Sequence, residues 1–449
     1  MKKSKTLAVC LLTAALAGCG TAGNNVEETA TAENTQTTAE NIQMTEENTQ
    51  STGEQDVWTV EEQTTDSKDA VSLTPFGSEP IELPDFSEDE IPDSEAIRFT
   101  SDMGIGWNLG NTFDAVDSGV SDEMDYESVW VGVKTEEAHI QTLYEAGFKT
   151  IRIPVSWHNH VDEDYNISTP WLDRVQEVVN WAYDRGLYVI INIHHDNSPD
   201  YEYPSYEKLD QSVAYTTKIW EQVSGRFADY DEHVIFETMN EPRQVGTDHE
   251  WWLSSTTSGD GAEACDCINQ LNQAIVDTIR QNGSGHNPDR YIMVPGYCAS
   301  PDFCTVNAFK IPEDTYATAE NRILISAHAY TPYSFALDKS GTNEFSISGN
   351  NGTGDIDAVL KKLYDKYITR GIGVVIGEFG SMNKDNNTEA RVEHAAYFVA
   401  RASHYGIPCV WWDNNSFNGS GENFGLLRRV SNTFLYPDIV DQLIYYSMR

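Results

Sequence analysis

Apolar residues return in short runs along most of the chain. The runs are MGIGWNLGN (103–111), FKTIRIPVSW (148–157), LYVIINIHHD (187–196), HVIFETMNEP (233–242), RYIMVPGY (290–297), RILISAHAY (322–330), GIGVVIGEFG (371–380) and GIPCVWWDN (406–414). Each is one strand long, and near-continuous apolarity marks a strand covered on both faces of a parallel sheet. Amphipathic stretches separate them. In TPWLDRVQEVVNWAYDRG (169–186), Leu172, Val175, Val178, Val179 and Ala182 share one helical face, and Gly186 stands where a C-terminal cap belongs. A last helix is expected within PDIVDQLIYYSMR (437–449). Eight such repeats predict an α/β fold, a closed (β/α)8 TIM barrel with inserted loops. The competing architecture is an open doubly wound sheet, which calls for a glycine-rich phosphate loop after its first strand. Gly104, Gly106 and Gly110 lie there, but Trp107 crowds them and argues against a cofactor.

The N-terminal part lacks this pattern. Lys2, Lys3 and Lys5 precede a short apolar run, Leu7 to Ala17, too short to span a bilayer and fitting a signal peptide over residues 1–18. It ends in Leu16-Ala17-Gly18-Cys19, which resembles the bacterial lipobox, so Cys19 is the expected lipidation site. The resemblance implies a secreted lipoprotein held to the outer side of a bacterial membrane through acyl chains alone. An ordinary secretory peptide that happens to contain a cysteine is the alternative. Residues 19–95 read as a disordered linker. From Gly20 to Glu95 there are 20 acidic residues against one basic residue, Lys68, and too little apolar surface to offset chain entropy. A Pro-rich stretch, Pro75 to Pro92, closes this tether, and the barrel domain is expected over 96–449.

Charge and composition narrow the partners. With 29 Lys plus Arg against 71 Asp plus Glu, the formal charge is −42, which disfavours nucleic acid and anionic membranes. The 11 Trp, 22 Tyr and 16 Phe suit a carbohydrate-active protein, whose rings stack on sugars, although most such rings pack in a core. Trp157, Trp251 and Trp252 can be read either way. Of seven cysteines, Cys265, Cys267, Cys298, Cys304 and Cys409 remain beyond the leader, an odd number. A Cys298–Cys304 bond stays open. Cys265-Asp266-Cys267 has the wrong spacing for zinc, and no metal is assigned.

A barrel enzyme works at the C-terminal ends of its strands. The second run carries Arg152; the third ends in His194-His195-Asp196, the fourth in Asn240-Glu241-Pro242, the sixth in His328-Ala329-Tyr330, the seventh in Gly377-Glu378 and the eighth in Trp411-Trp412-Asp413. Glutamates after strands four and seven face each other across the mouth. Two facing carboxyl groups are the minimum for cutting a glycosidic bond, one protonated and one ionised. Their surroundings must push their pKa values apart, with Arg152 keeping the nucleophile charged and an anionic or desolvated setting protonating the acid. Arg152 can also be a structural ion pair with Glu237, and His194 and His195 can be core residues.

This set resembles glycoside hydrolase family 5, in the barrel clan with its acid/base after strand four and its nucleophile after strand seven. The resemblance rests on GWNLGNTFDA (106–115), IRIPVSW (151–157), INIHHD (191–196), MNEPR (239–243), HAYTPY (328–333), IGEFG (376–380) and WWDN (411–414), in order from about residue 98 to the end. It is closest to the bacterial endoglucanase branch, which also holds enzymes acting on xyloglucan, lichenan and xylan. It implies Glu241 as acid/base and Glu378 as nucleophile, oriented by Arg152 and Tyr330. It implies that Asn240 contacts the sugar 2-hydroxyl, His328 sets the proton of Glu241, His194 contacts the sugar on the non-reducing side of the cut and Trp412 floors it. His195 and Asn108 are further candidates. The expected activity is a retaining endo-β-1,4-glucanase, monomeric, needing no cofactor. Other β-glycans, or a non-catalytic glycan-binding lipoprotein, are the rival readings.

Overall fold

The eight apolar runs form eight strands: β1 Ile105–Leu109, β2 Thr150–Ile153, β3 Tyr188–Asn192, β4 Val234–Glu237, β5 Ile292–Pro295, β6 Ile323–His328, β7 Val374–Phe379 and β8 Cys409–Asp413. In this computed structural model, which describes residues 74–86 and 89–448, they pair in sequence order, all parallel, and β1 closes on β8. That last pairing, from Ile105↔Cys409 to Leu109↔Asp413, excludes the open sheet. The signal peptide, Cys19 and the linker up to residue 73 lie outside the described residues.

Alternation along the strands sorts the side chains into two layers. Trp107, Ile151, Val189, Phe236, Ile325 and Trp411 point outward into the core shared with the helices. Ile190, Ile235, Met293, Leu324, Val375 and Val410 point inward, where Ala96, Phe99 and Met103 of the helix Glu95–Met103 meet them and close the N-terminal end of the barrel. Phe99 stacks on Tyr291 there, with ring centroids 3.7 Å apart. Nearer the C-terminal rim the inward positions turn polar: Asn108, Arg152, Asn192, Glu237, Ser326 and His328 are all buried. An apolar floor thus carries a buried polar layer, and the rim stands on that layer.

The helix expected at 169–186 runs from Thr169 to Tyr183 and buries Trp171, Leu172, Val175, Val178, Val179 and Ala182. Pro170 fits its first turn, where no N–H partner is needed. Gly186 takes φ +72, and Leu187 N–H bonds back to the Ala182 carbonyl at 3.2 Å, ending the helix. The last helix is Pro437–Ser447. Among the described residues no helix is long and apolar enough to cross a membrane. The five described cysteines are buried free thiols, so Cys298 and Cys304 are not bonded.

The linker expectation is corrected at its C-terminal end. Residues 74–86 and 89–94 follow the outside of the barrel in fixed contacts. Buried Asp441 accepts the backbone N–H of Phe76 and of Ser78, both at 2.7 Å, and Gln442 accepts that of Ile81 at 3.0 Å. Phe86 packs edge-on against Tyr397 with Arg401 over its face, and Asp89 accepts the Tyr405 hydroxyl at 2.8 Å. Sparse apolar residues and acidic groups suggest disorder by composition, yet here Phe76, Phe86 and Asp89 each meet a partner. The prolines lower the entropy lost on ordering. Asp441→Ala removes two charge-assisted bonds, worth about 2–3 kcal/mol together. The expected outcome is a Tm lowered by about 3–4 °C, with faster proteolysis confined to residues 74–94; an unchanged Tm and cleavage pattern would refute the staple.

Candidate active site

Arg152, on β2, is fully buried and joins most of the site. Its Nε donates to Glu237 at 2.8 Å, and its Nη1 donates to Glu378 at 2.7 Å and to Asn108 at 2.9 Å. Its Nη2 donates to Asn240 Oδ1 at 2.7 Å. The alternatives left open for Arg152 are both realised: it is an interior ion pair with Glu237 and the clamp on Glu378. Burial alone would lower its pKa, but the two carboxylates raise it and keep it charged. Burial would likewise raise Glu237, yet Arg152, His328 and Ser326 hold it down at about 2. Glu237 also takes bonds from Asn192 at 2.9 Å and Ser326 at 2.5 Å.

Asn108 is placed differently from its expected role. It is fully buried, accepts from Arg152, and directs Nδ2 to the carbonyls of Gly377, Val410 and Trp411 at 3.0–3.3 Å. With both ends committed below the rim it supports Arg152 and cannot reach a sugar.

Glu378 depends on a bulge. Strict alternation on β7 turns Val375 and Gly377 inward and Glu378 outward. The register with β6 slips so that His328 pairs with Glu378, and the slip against β8 ends at Phe379, which packs outward. The extra residue leaves Gly377 and Glu378 both facing the cleft. A Cβ at Gly377 would stand 3.2 Å from His328 Nε2 and 3.3 Å from Glu237, so glycine admits the close approach of these groups. Tyr330 donates its hydroxyl to Glu378 Oε2 at 2.8 Å.

Glu241 sits just past β4, with His328 Nδ1 on its Oε1 at 2.8 Å. Oxygens of Glu241 and Glu378 approach within 4.8 Å of each other and of a His328 nitrogen. Burial would lower the His328 pKa, and Arg152, 3.5 Å from Nε2, adds to that; Glu378, Glu237 and Glu241 outweigh both and push it up to about 9. Burial raises Glu241, but bonding to His328, the His328 charge and Arg243 lower it on balance. This corrects the setting expected for the acid. In the free cleft the proton rests on the imidazole and is shared with the carboxylate through their hydrogen bond.

Trp412 and His194 form the facing wall. Their rings are parallel within 4°, with centroids 5.8 Å apart, and both are nearly buried. Trp411 points outward and bonds the Phe424 carbonyl, so alternation puts Trp412 in the cleft. A Cβ at Gly110 would come within 2.9 Å of the Trp412 ring, so only glycine fits beneath it. Burial, His195 and Arg152 lower His194 and keep it neutral. His195 lies at the cleft edge, part-exposed, 3.9 Å from Asp114 and 6.0 Å from the Trp130 ring. It bonds to neither glutamate, although the Glu241 charge acts on it. Trp157 is fully buried and packs in the core.

Sequence reading missed Asn192 and Ser326, the supports of Glu237, and the roles of Asp413 and Arg429. Asp413 accepts Trp107 Nε1 and the N–H groups of Leu426 and Leu427, each at 2.9 Å, fixing the loop after Trp412. Arg429 caps the carbonyls of Gly110 and Asp413. The available signal was a polar residue inside an apolar strand, two positions before the rim. Two trios could supply metal donors, Glu241/His328/Glu378 and Asp114/His194/His195. The first is bound up in its own ion pairs. In the second, both Asp114 oxygens already accept the N–H groups of Asn111 and Thr112.

A parallel eight-stranded barrel with two carboxyl groups meeting across its rim is the arrangement of a glycoside hydrolase. The sequence model described as Cellulase (glycosyl hydrolase family 5) matches residues 113–418. Endoglucanase 1 of Ruminococcus albus is 40% identical over 395 residues, 86% of this chain and 91% of that one. Among solved structures, a GH5 family lichenase from Caldicellulosiruptor sp. F32 superposes with TM-score 0.79 at 48% identity, covering 82% of this chain and 99% of that one. A GH5-4 broad specificity endoglucanase from Ruminococcus champanellensis, with bound cellotriose, gives 0.71 at 39%, covering 79% and 100%. The chain belongs to glycosyl hydrolase family 5.

The proton on His328 makes a stability signature. Unfolded histidine titrates near 6.5, and in the fold His328 titrates at about 9. A raised pKa stabilises the fold fully below the unfolded value, and that contribution drains as pH rises through the folded one. Resistance to denaturant should therefore fall from about pH 6.5 to 9, and His328→Gln should flatten this slope. Equal slopes in both proteins would show that His328 is neutral.

Proposed function

We propose that the protein is a retaining endo-β-1,4-glucanase that cuts internal bonds of β-glucans by double displacement. The observation that carries this is the approach of Glu241 and Glu378 oxygens to within 4.8 Å. It suits a direct attack, with carboxyl groups about 5–5.5 Å apart, and leaves no room for the water an inverting enzyme holds between them. Glu378 is the nucleophile. Its two oxygens are gripped by Arg152 and Tyr330, which fixes its aim and keeps it ionised.

Glu378 attacks the anomeric carbon while the bond to the leaving oxygen breaks. The Glu241–His328 pair delivers its proton to that oxygen through Glu241. While Glu378 is anionic it helps hold the proton on the pair. Once esterified it no longer does, so the proton becomes easier to give as the bond to carbon forms. Glu241, now a carboxylate, then takes a proton from water, whose oxygen attacks the same carbon and frees Glu378. Two inversions restore the original configuration. Asn240, with Oδ1 held by Arg152, has Nδ2 left to meet the sugar 2-hydroxyl. Trp412 floors that sugar and His194 contacts it, with His195 at the cleft edge.

The glucan most readily cut is a separate question. The 48% likeness to a lichenase favours mixed-linkage glucan as a second good substrate. The leader and Leu16-Ala17-Gly18-Cys19 support an enzyme displayed on the cell surface through lipid on Cys19.

Glu378→Gln should lower hydrolysis of carboxymethyl-cellulose and lichenan by more than about a thousandfold with the fold intact. Near-normal turnover would sink the assignment, and a wild-type protein that binds these glucans without releasing reducing sugar would favour the display role. Wild-type products should keep the β-configuration by NMR. In cells, Cys19→Ser should abolish labelling by a fatty-acid probe; persistent labelling would overturn the anchor.

A further inference from the structure

Glu241 meets a cation at each of its oxygens. His328 Nδ1 stands 2.8 Å from Oε1, and Nη1 of Arg243 stands 3.4 Å from Oε2. The shorter bond from that Nη1 goes to the Glu241 carbonyl, at 3.0 Å. Arg243 thus holds the backbone of the residue and overhangs its carboxylate. It is 8% exposed, with its Cζ 4.1 Å from the centre of the Trp251 ring, so little water screens the contact.

The guanidinium is fixed in that place. Glu250 Oε1 lies 3.7 Å from Arg243 Nε. Glu250 in turn accepts the Gly246 N–H at 3.0 Å, and its carbonyl accepts the Cys298 thiol at 3.2 Å. Other ionisable groups face Glu241 from four directions: His195 beyond β3, Cys298 beyond β5, Tyr330 beyond β6 and Glu378 on β7. Burial pushes His195 down to about 4 and the Cys298 thiol and Tyr330 hydroxyl up, so these three are neutral. Burial and Asp196 lift Glu202, which faces Arg243, to about 8. Among the described residues the charged neighbours of Glu241 are therefore His328, Glu378 and Arg243.

These neighbours differ in one respect. Glu378 loses its charge when it is esterified, and Arg243 never does. While Glu378 is anionic it favours a proton on Glu241 and His328, as the first half of the reaction needs. After esterification the remaining neighbours favour the carboxylate, the form that takes a proton from water in the second half.

We propose that Arg243 is a positioning residue for the acid/base, fixing Glu241 at the rim and biasing it toward the carboxylate, so that it serves as the base once Glu378 is esterified. This rests on Glu241 being the acid/base of a retaining enzyme.

The test uses 2,4-dinitrophenyl β-cellobioside, whose phenolate leaves without a proton, so that breakdown of the glycosyl-enzyme limits kcat. In that intermediate Glu378 is an ester, and the acid limb of the kcat–pH profile reports protonation of Glu241. Removing a neighbouring cation strengthens the hold on the proton. The limb should therefore move up by about one pH unit in Arg243→Met and stay close to the wild-type position in Arg243→Lys. Glu250→Gln removes the counter-charge of Arg243 and should move the limb the other way, which decides the matter even if Arg243→Met does not fold. A limb at the wild-type pH in Arg243→Met and Glu250→Gln, with rates lowered alike at every pH, would show that Arg243 only supports its loop and would overturn the proposal. A wild-type protein that releases product with inversion, or turns over neither the cellobioside nor carboxymethyl-cellulose, would overturn the retaining reading itself, and the role of Arg243 with it.

Discussion

One guanidinium, deep inside a barrel, fixes the positions of most groups that matter at its rim. Arg152 binds residues from β1, β4 and β7 at once, and it is fully buried. A buried ion pair is a poor source of net stability, because desolvation offsets most of the attraction. Its loss is another matter: it would strand Glu237 without its cation, at a cost of about 3–5 kcal/mol. The arrangement is therefore better understood as a jig. Glu237 is the counterweight that keeps Arg152 in place when the charge on Glu378 comes and goes. Asn192, Ser326 and Asn108 saturate the remaining donors and acceptors, so none of the three partners has a second position of similar energy.

The same network governs the proton. Two carboxylates, Glu237 and Glu378, meet Arg152, and together with Glu241 they surround a further cation, His328. The neutral His194 and the imidazolium at His328 differ in their neighbours rather than in their burial. His194 faces an indole, another histidine and arginines; His328 faces three glutamates. Two histidines a short distance apart thus hold opposite charge states at one pH, through local composition alone. An acid that shares its proton with an imidazole need not be protonated on its own before substrate arrives.

Strand order, barrel closure and the rim residues were legible in the sequence because they lie in the apolar runs themselves. Parity along β8 put Trp411 and Trp412 on opposite faces, and the bond from Trp411 to the Phe424 carbonyl leaves Trp412 to the cleft. Other features were not legible, for definable reasons. Asn108 sits at the rim end of its run, but its depth depends on how far Arg152 reaches up from β2. Glu237 was visible as a partner for Arg152, whereas Asn192 and Ser326 looked like ordinary strand residues until alternation was followed across three strands. Residues 74–94 have the composition of a linker, and only the groups they meet, Asp441, Tyr397 and Arg401, make them part of the domain. Glu378 was named from its motif, although alternation alone would have turned it to the helices.

That last point bears on how such an enzyme could be lost. Glu241 lies past the end of its strand, beyond Asn240, whose N–H bonds the Ile193 carbonyl at 2.8 Å. Glu378 owes its direction to one surplus residue within β7. Deleting Gly377 would restore regular pairing and move the Glu378 Cβ to the place where a Cβ meets His328 at 3.2 Å and Glu237 at 3.3 Å, so the carboxylate would lose its seat between Arg152 and Tyr330. The shortest path from this chain to an inert scaffold is thus a frame-preserving deletion that leaves both glutamates in the sequence. Motif inspection would still count such a descendant as an enzyme.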